Sequence, residues 1–274
     1  MNIVELIKAV IFGIVEGVAE WLPISSTGHL ILLNELIPLK MSESFYESFE
    51  VIIQLGAVLA VLFCYKDRIL PFSREKEQRK KAYALWRLAL IGAVPSAVIG
   101  LLFDGILDEY LYNSTVVCIM LVSYGAAFIL VERFRSHRTV LVSNTESMTI
   151  TDALKVGAFQ VLALVPGTSR SGATILGGML TGLSRETAAE YSFFLAIPTM
   201  AGAGALKLVK LLCSSEKITG EEILLLAVGC AVAFLVSCLA IGFLTDFVKR
   251  HSFSAFGVYR IIFGGGLLIY FFTK

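Results

Sequence analysis

Leu22-Pro23-Ile24-Ser25-Ser26-Thr27-Gly28 breaks an apolar run that extends from Ile3 to Leu36. Val165-Pro166-Gly167-Thr168-Ser169-Arg170-Ser171-Gly172 breaks a second, from Ile150 to Leu183. In each break proline stops the incoming helix, and glycine and hydroxyl residues supply turn and N-cap chemistry for an outgoing one. Both read as helix–loop–helix hairpins that enter a membrane and turn back. They also resemble each other: Gly13-x-x-Glu16 recurs as Gly157-x-x-Gln160, and Pro23 to Gly28 recurs as Pro166 to Gly172 with one residue of slippage.

Outward from the breaks, six segments have the length of a membrane-spanning helix, which needs about 20 mostly apolar residues. They lie near 46–65, 85–103, 114–131, 188–211, 222–245 and 254–272. The helix after each hairpin carries an acidic residue near its start, Glu50 in one half and Glu190 in the other. The pattern is a hairpin plus three helices, twice. Repeat one covers 1–131 with its hairpin at 3–36, and repeat two covers 150–272 with its hairpin at 150–183, all within one integral membrane domain, 1–274. A repeat with an odd number of spans must be inverted in the membrane. The expected fold is therefore an all-α polytopic membrane protein of two inverted repeats, with six spans and two re-entrant hairpins. Interrupted segments at corresponding positions point to a site at the repeat interface.

Composition agrees. Of 274 residues, 57% are hydrophobic and 16% charged, against about 25% charged in a soluble domain; mean hydropathy is +0.80. A net charge of +1 gives no reason to expect nucleic acid as a partner. The placement of charge is informative. Lys66, Arg68, Arg74, Lys76, Arg79, Lys80, Lys81 and Arg87 cluster in one connection, Arg133, Arg135 and Arg138 in another, and Lys249 and Arg250 in a third. The intervening connections are poor in basic residues, with none from Asp104 to Asn113 and only Lys217 from Leu212 to Glu222. Lysine and arginine favour the cytoplasm, so both ends should lie outside. The first hairpin then enters from the outer face and the second from the cytoplasmic face, with their tips meeting near mid-membrane. Glu5 and Lys8 replace the basic segment of a cleavable signal peptide, and none is expected. Cys64, Cys118, Cys213, Cys230 and Cys238 are odd in number and without a C-x-x-C spacing, so they read as small buried hydrophobes.

Glu16 and Glu20 are four apart and share a helix face. A charge at mid-bilayer costs roughly 2.5–3.5 kcal/mol even on the lenient insertion scale, so an adjacent acidic pair asks for a cation, a proton or an arginine. Ser25, Ser26 and Thr27 offer hydroxyls at the start of a half-helix, where free N–H groups bind anions. His29 follows directly and suits proton transfer or nucleophilic attack; His137 and His251 fall in basic connections and read as solvated. Arg170, flanked by Gly167, Thr168, Ser169 and Ser171, has the planar fork that suits phosphate, or it pairs with Glu16 or Glu20. The whole set suits hydrolysis of a phosphoanhydride. Glu16 and Glu20 would hold a divalent metal with the substrate phosphates, Mg²⁺ or Ca²⁺ being the expected ions, and a site within the bilayer suggests a substrate with a lipid tail.

The run Glu16-Gly17-x-x-Glu20-Trp21-Leu22-Pro23-Ile24-Ser25-Ser26-Thr27-Gly28-His29 resembles the first signature of the undecaprenyl-diphosphatase family, also called bacitracin-resistance proteins, and Pro166 to Gly172 resembles its second. The likeness extends over nearly the whole chain, including Phe49-Glu50-Val51-Ile52-Ile53-Gln54-Leu55-Gly56. It implies removal of the terminal phosphate of undecaprenyl diphosphate, which recycles the lipid carrier of peptidoglycan synthesis and confers bacitracin resistance. It further implies a divalent cation, a bacterial inner-membrane location and a site open to the periplasmic or outer side. Glu16 and Glu20 match the family's acidic pair, Ser25, Ser26, Thr27 and His29 its hydroxyl–histidine cluster, and Ser169 and Arg170 its serine–arginine pair.

Three nucleophiles are open: Ser26 activated by His29, His29 itself, or a metal-bound water. A serine–histidine arrangement is the expected one, with Glu20 orienting the histidine or the metal and Arg170 stabilising charge on the phosphoryl oxygens. The alternatives to a phosphatase are a flippase or transporter of lipid phosphates, built on the same repeats, and a binder that sequesters bacitracin. The expected partners are the polyprenyl diphosphate and membrane lipid, with a homodimer left open.

Overall fold

The computed structural model describes residues 3–135, 139–213 and 218–273. His137, Arg138 and Lys217 lie outside the described residues. The chain is helical, with one isolated bridge, Val142 to Leu183, among the described residues. The helices are α1 (Ile3–Ala19), α2 (Ser26–Leu36), α3 (Glu43–Cys64), α4 (Lys66–Ile69), α5 (Lys76–Leu111), α6 (Ser114–Arg135), α7 (Ile150–Gln160), α8 (Arg170–Leu180), α9 (Arg185–Cys213), α10 (Gly220–Arg250) and α11 (Ser254–Thr273). Six of them, α3, α5, α6, α9, α10 and α11, are long and apolar enough to cross a membrane, so this is a multi-pass membrane protein. Large apolar side chains such as Leu101, Leu102, Leu239 and Ile262 are about three-quarters exposed, at 73%, 70%, 75% and 70%, as lipid-facing residues are.

Two connections differ from the sequence expectation. Much of the basic stretch 66–87 is helical, in α4 and the start of α5, and the segment 104–111 continues α5 instead of linking spans. Its only proline, Pro95, lies well inside the helix, and glutamate, lysine and leucine at the two ends are good helix formers. The 36-residue helix is about 54 Å long at 1.5 Å per residue, far more than the hydrocarbon thickness, so its polar ends project from it.

The packing exchanges elements between halves. α1 of the first half packs chiefly on α10 of the second, while α7 of the second packs chiefly on α5 of the first. α3 packs on α10 and α9, and α9 packs on α3 and α5. Small residues allow the close crossings, as in many membrane bundles. A Cβ on Gly13 would stand 2.7 Å from Gly229 O, and one on Gly125 would stand 2.7 Å from Gly257 O. The largest apolar core gathers Trp21, Phe128, Tyr191, Phe193, Phe194 and Phe253 around both interruptions; a second, built on Phe12, Leu30 and Phe49, supports α1 and α2.

Candidate active site

Both interruptions end in the same kind of N-cap, a serine with positive φ. α1 ends at Ala19, and Ser25 adopts φ 75°, ψ 96° as the N-cap of α2, its side chain accepting from Gly28 N. α7 tightens into a 3₁₀ turn at Val161–Leu164, and Ser169 adopts φ 72°, ψ 122° as the N-cap of α8, accepting from Gly172 N. These serines are the only non-glycine residues with positive φ among the described residues. Such a conformation costs roughly 1–3 kcal/mol and concentrates at functional sites. It turns the first N–H groups of α2 and α8, which have no intrahelical acceptor, into two anion-receptive ends. The tips are stitched together: the Ser171 hydroxyl donates to the first break, 3.0 Å from Glu20 O and 3.3 Å from Leu22 O.

Glu20 is the junction of the two halves. Ser26 Oγ donates to its Oε2 at 2.8 Å, and Arg170 Nη2 donates to its Oε1 at 2.8 Å. Arg170 Nη1 donates to the Ser192 carbonyl and hydroxyl on α9, at 2.8 and 3.1 Å, and the guanidinium lies 5.4 Å from the Trp21 ring centre. Arg170 thus pairs with Glu20 and not with Glu16. Glu50 accepts from the Tyr46 hydroxyl at 2.5 Å, and its counterpart Glu190 pairs with Arg68 and accepts from Thr145, away from the tips.

The expected contact of His29 with Ser26 is not formed. His29 Nδ1 lies 2.7 Å from Ser25 O and Nε2 lies 2.7 Å from the Tyr259 hydroxyl. A carbonyl only accepts, so Nδ1 carries a proton, and in the neutral form of the ring Nε2 accepts from the Tyr259 hydroxyl. The ring also stacks on Phe263, with centroids 4.1 Å apart. The cause is local: Ser25 is the residue one helical turn before His29, and its carbonyl captures the imidazole before the ring can reach Ser26. His251 is exposed beside Phe247.

Buried polar side-chain atoms without a partner, among the described residues, are both Glu16 carboxylate oxygens, Trp21 Nε1, Gln160 Oε1, Thr168 Oγ1 and Arg170 Nε. All belong to the motif stretches or to Gln160, the counterpart of Glu16. Buried polar atoms normally have partners, and exceptions call for a ligand or ion. Glu16 is fully buried and within electrostatic reach of Glu20, Glu50 and Arg170. Among the described residues no three histidine, cysteine or carboxylate side chains are gathered as a ready metal cage. A partnerless carboxylate beside a second one fits an ion that takes its remaining ligands from phosphate and water. Ser25, Thr27, Gly167, Thr168 and Ser169 all lie at the two tips, where an anion would meet the helix ends. The five cysteines are free thiols, and of them only Cys118 is buried as expected, Cys64 and Cys213 being exposed.

Three participants escape a motif reading: Ser192, which holds Arg170; Tyr259, which holds His29; and Arg260. Arg260 is fully buried and donates to carbonyls of both breaks. An arginine within an apolar span is itself a functional signal, so Arg260 was findable in the sequence. Ser192 and Tyr259 carry no such signal.

Comparison with known sequences identifies the family. The sequence model of a family described as bacitracin resistance protein BacA matches residues 9–266. The chain is similar to proteins named undecaprenyl-diphosphatase. It is 50% identical to one of Enterococcus faecalis over 272 residues, covering 98% of this chain and 99% of that one. It is 48% identical to one of Streptococcus sanguinis over 273 residues, covering 98% and 97%. It is 49% identical to one of Acetivibrio thermocellus over 269 residues, covering 97% and 98%.

Proposed function

The chain belongs to the bacitracin resistance protein BacA family, and from that membership we propose that it hydrolyses undecaprenyl diphosphate to undecaprenyl phosphate and inorganic phosphate at the junction of its two tips. It is a membrane phosphatase that serves peptidoglycan synthesis and bacitracin resistance. The observation that carries the reading is Glu20, which receives a serine hydroxyl from one tip and an arginine from the other. A serine aimed at a carboxylate is an activated nucleophile, and a guanidinium across from it suits a diphosphate.

In this reading Ser26 Oγ attacks the terminal phosphorus and its proton passes to Glu20 Oε2. The bond from phosphorus to the bridging oxygen breaks. The leaving group, a phosphate monoester, is a weak base and departs without needing a proton. The N–H groups of α2 and α8 and the Arg170 guanidinium hold the phosphoryl oxygens as charge shifts. Water then hydrolyses the phosphoserine. Ser25, Thr27, Gly167, Thr168, Ser169 and Ser171 shape the diphosphate cradle, and His29 acts at its edge. A divalent ion, Mg²⁺ or Ca²⁺, would be held by Glu16 with Glu20 and would neutralise the diphosphate.

The surrounding architecture belongs to the same proposal. The halves 1–131 and 150–272 are inverted repeats, with hairpins 3–36 and 150–183 re-entering from opposite faces. The exchanged pairings of α1 with α10 and of α7 with α5 support it. The alternation of basic connections supports both ends lying on the outer side of the cell membrane, and the family resemblance supports a site that opens to that side.

The test is phosphate release by purified protein in detergent from farnesyl and undecaprenyl diphosphate, with and without chelator. Many phosphates released per protein molecule, stopped by chelator and restored by Mg²⁺ or Ca²⁺, are expected. Lipid binding without phosphate release would replace the enzyme by a carrier.

A further inference from the structure

The structure assigns Arg260 on α11 as the positioning residue that holds the two tips in register, an inference that rests on the phosphatase reading and extends it. The guanidinium is fully buried, yet among the described residues no carboxylate pairs with it. Its donors go to main-chain carbonyls instead. Nη1 donates to Pro23 O at 3.1 Å, and Nη2 to Gly167 O at 2.8 Å and Thr168 O at 3.0 Å. Nε and Nη2 reach Leu121 O and Met120 O of α6, each at 3.3 Å. A buried cation without a counter-ion is costly unless fully hydrogen-bonded, and here the satisfaction comes mainly from the tips.

The acceptors decide the role. Pro23 lies two residues before the Ser25 N-cap, and Thr168 immediately precedes the Ser169 N-cap. Each tip is closed internally by its own serine, but the caps do not fix one tip relative to the other. A single rigid fork bonded to both does. The register it sets is the one in which Ser26 and Arg170 meet on Glu20. Lysine could not substitute, because three donors on one nitrogen cannot span carbonyls arranged around a planar fork. All three nitrogens of the fork donate to main-chain carbonyls, so Arg260 acts on the substrate through the tips.

The test is a double-mutant cycle in detergent with Arg260→Lys, Arg170→Lys and the double variant, measuring kcat and KM and checking each protein for a single monodisperse species. A misplacement of about 1 Å costs on the order of 10²-fold in rate. Arg260→Lys is therefore expected to lower kcat by roughly 10–100-fold with KM changed much less. The double variant should be little slower than the slower single one, because residues acting as a unit are non-additive. Wild-type kcat in Arg260→Lys, or losses that simply multiply, would overturn the proposal. If Arg260→Lys is not monodisperse, Arg260→Gln replaces it in the same cycle, and failure of both to fold would show a purely structural arginine. Arg170→Lys tests the underlying reading on its own: a normal rate there, with Arg260→Lys slow, would contradict the role of Arg170 and not the positioning.

Discussion

The two interruptions are alike in backbone and opposite in side chains. Each ends in a serine with φ near +70° (75° and 72°) that caps the next helix. The first break adds two carboxylates, a hydroxyl and an imidazole, whereas the second puts Gln160 where the first has Glu16, and Arg170 where a cation can face them. The difference teaches a division of labour. Similar backbones offer two helix N-termini, and on the proposed mechanism the differing side chains give one tip the proton acceptor and the other the positive charge. Neither tip is complete alone, since Glu20 finds its hydroxyl on its own side and its guanidinium on the other.

The comparison breaks most severely at Arg170. Arg170→Ala removes the cation from the second tip and leaves Glu20 without its ion pair; kcat/KM for phosphate release should fall by about 10³–10⁵-fold, the range for an arginine that meets phosphoryl charge. A near-normal rate would mean that the second tip is only a scaffold. Next comes Glu20→Gln, which keeps shape but removes the proton acceptor. It should lower kcat by roughly 10²–10⁴-fold, measured on protein of unchanged chromatographic behaviour.

His29 sharpens the account of the first tip. Its ring nitrogens are taken by Ser25 O and Tyr259, so His29→Ala should cost about tenfold or less, well below a general base, and Tyr259→Phe less again. A loss as large as that of Glu20→Gln would restore the histidine as base. The smallest effects concern the caps. Glycine tolerates positive φ without strain, so Ser25→Gly and Ser169→Gly should leave thermal stability nearly unchanged. The corresponding alanines lose the cap and keep the strain, about 1–3 kcal/mol. Unequal responses at the two positions would show that the backbones are not equivalent.

Most of this was legible in the sequence for a physical reason. Long apolar segments and proline-containing breaks are costly to place any other way in a membrane, so all six spans and both interruptions were readable, as were Glu16, Glu20, Ser26 and Arg170. What was not legible depends on which neighbours the fold supplies. Sequence spacing put Ser26 and His29 three apart on one helix, but the Ser25 carbonyl and the stack on Phe263 decide where the imidazole goes. The continuation of α5 to Leu111 was hidden because acidic, apolar and aromatic residues there suit a helix end as well as a connection.

The central claim is that Ser26, activated by Glu20 and opposed by Arg170, attacks phosphorus. The most direct measurement is the turnover of Ser26→Ala on undecaprenyl diphosphate beside wild type, both monodisperse and at saturating substrate and metal. The account predicts a fall in kcat of at least about 10³-fold, as for loss of a nucleophilic hydroxyl, with lipid binding retained. Turnover of Ser26→Ala within a few-fold of wild type would contradict it and move the attack to water or to His29.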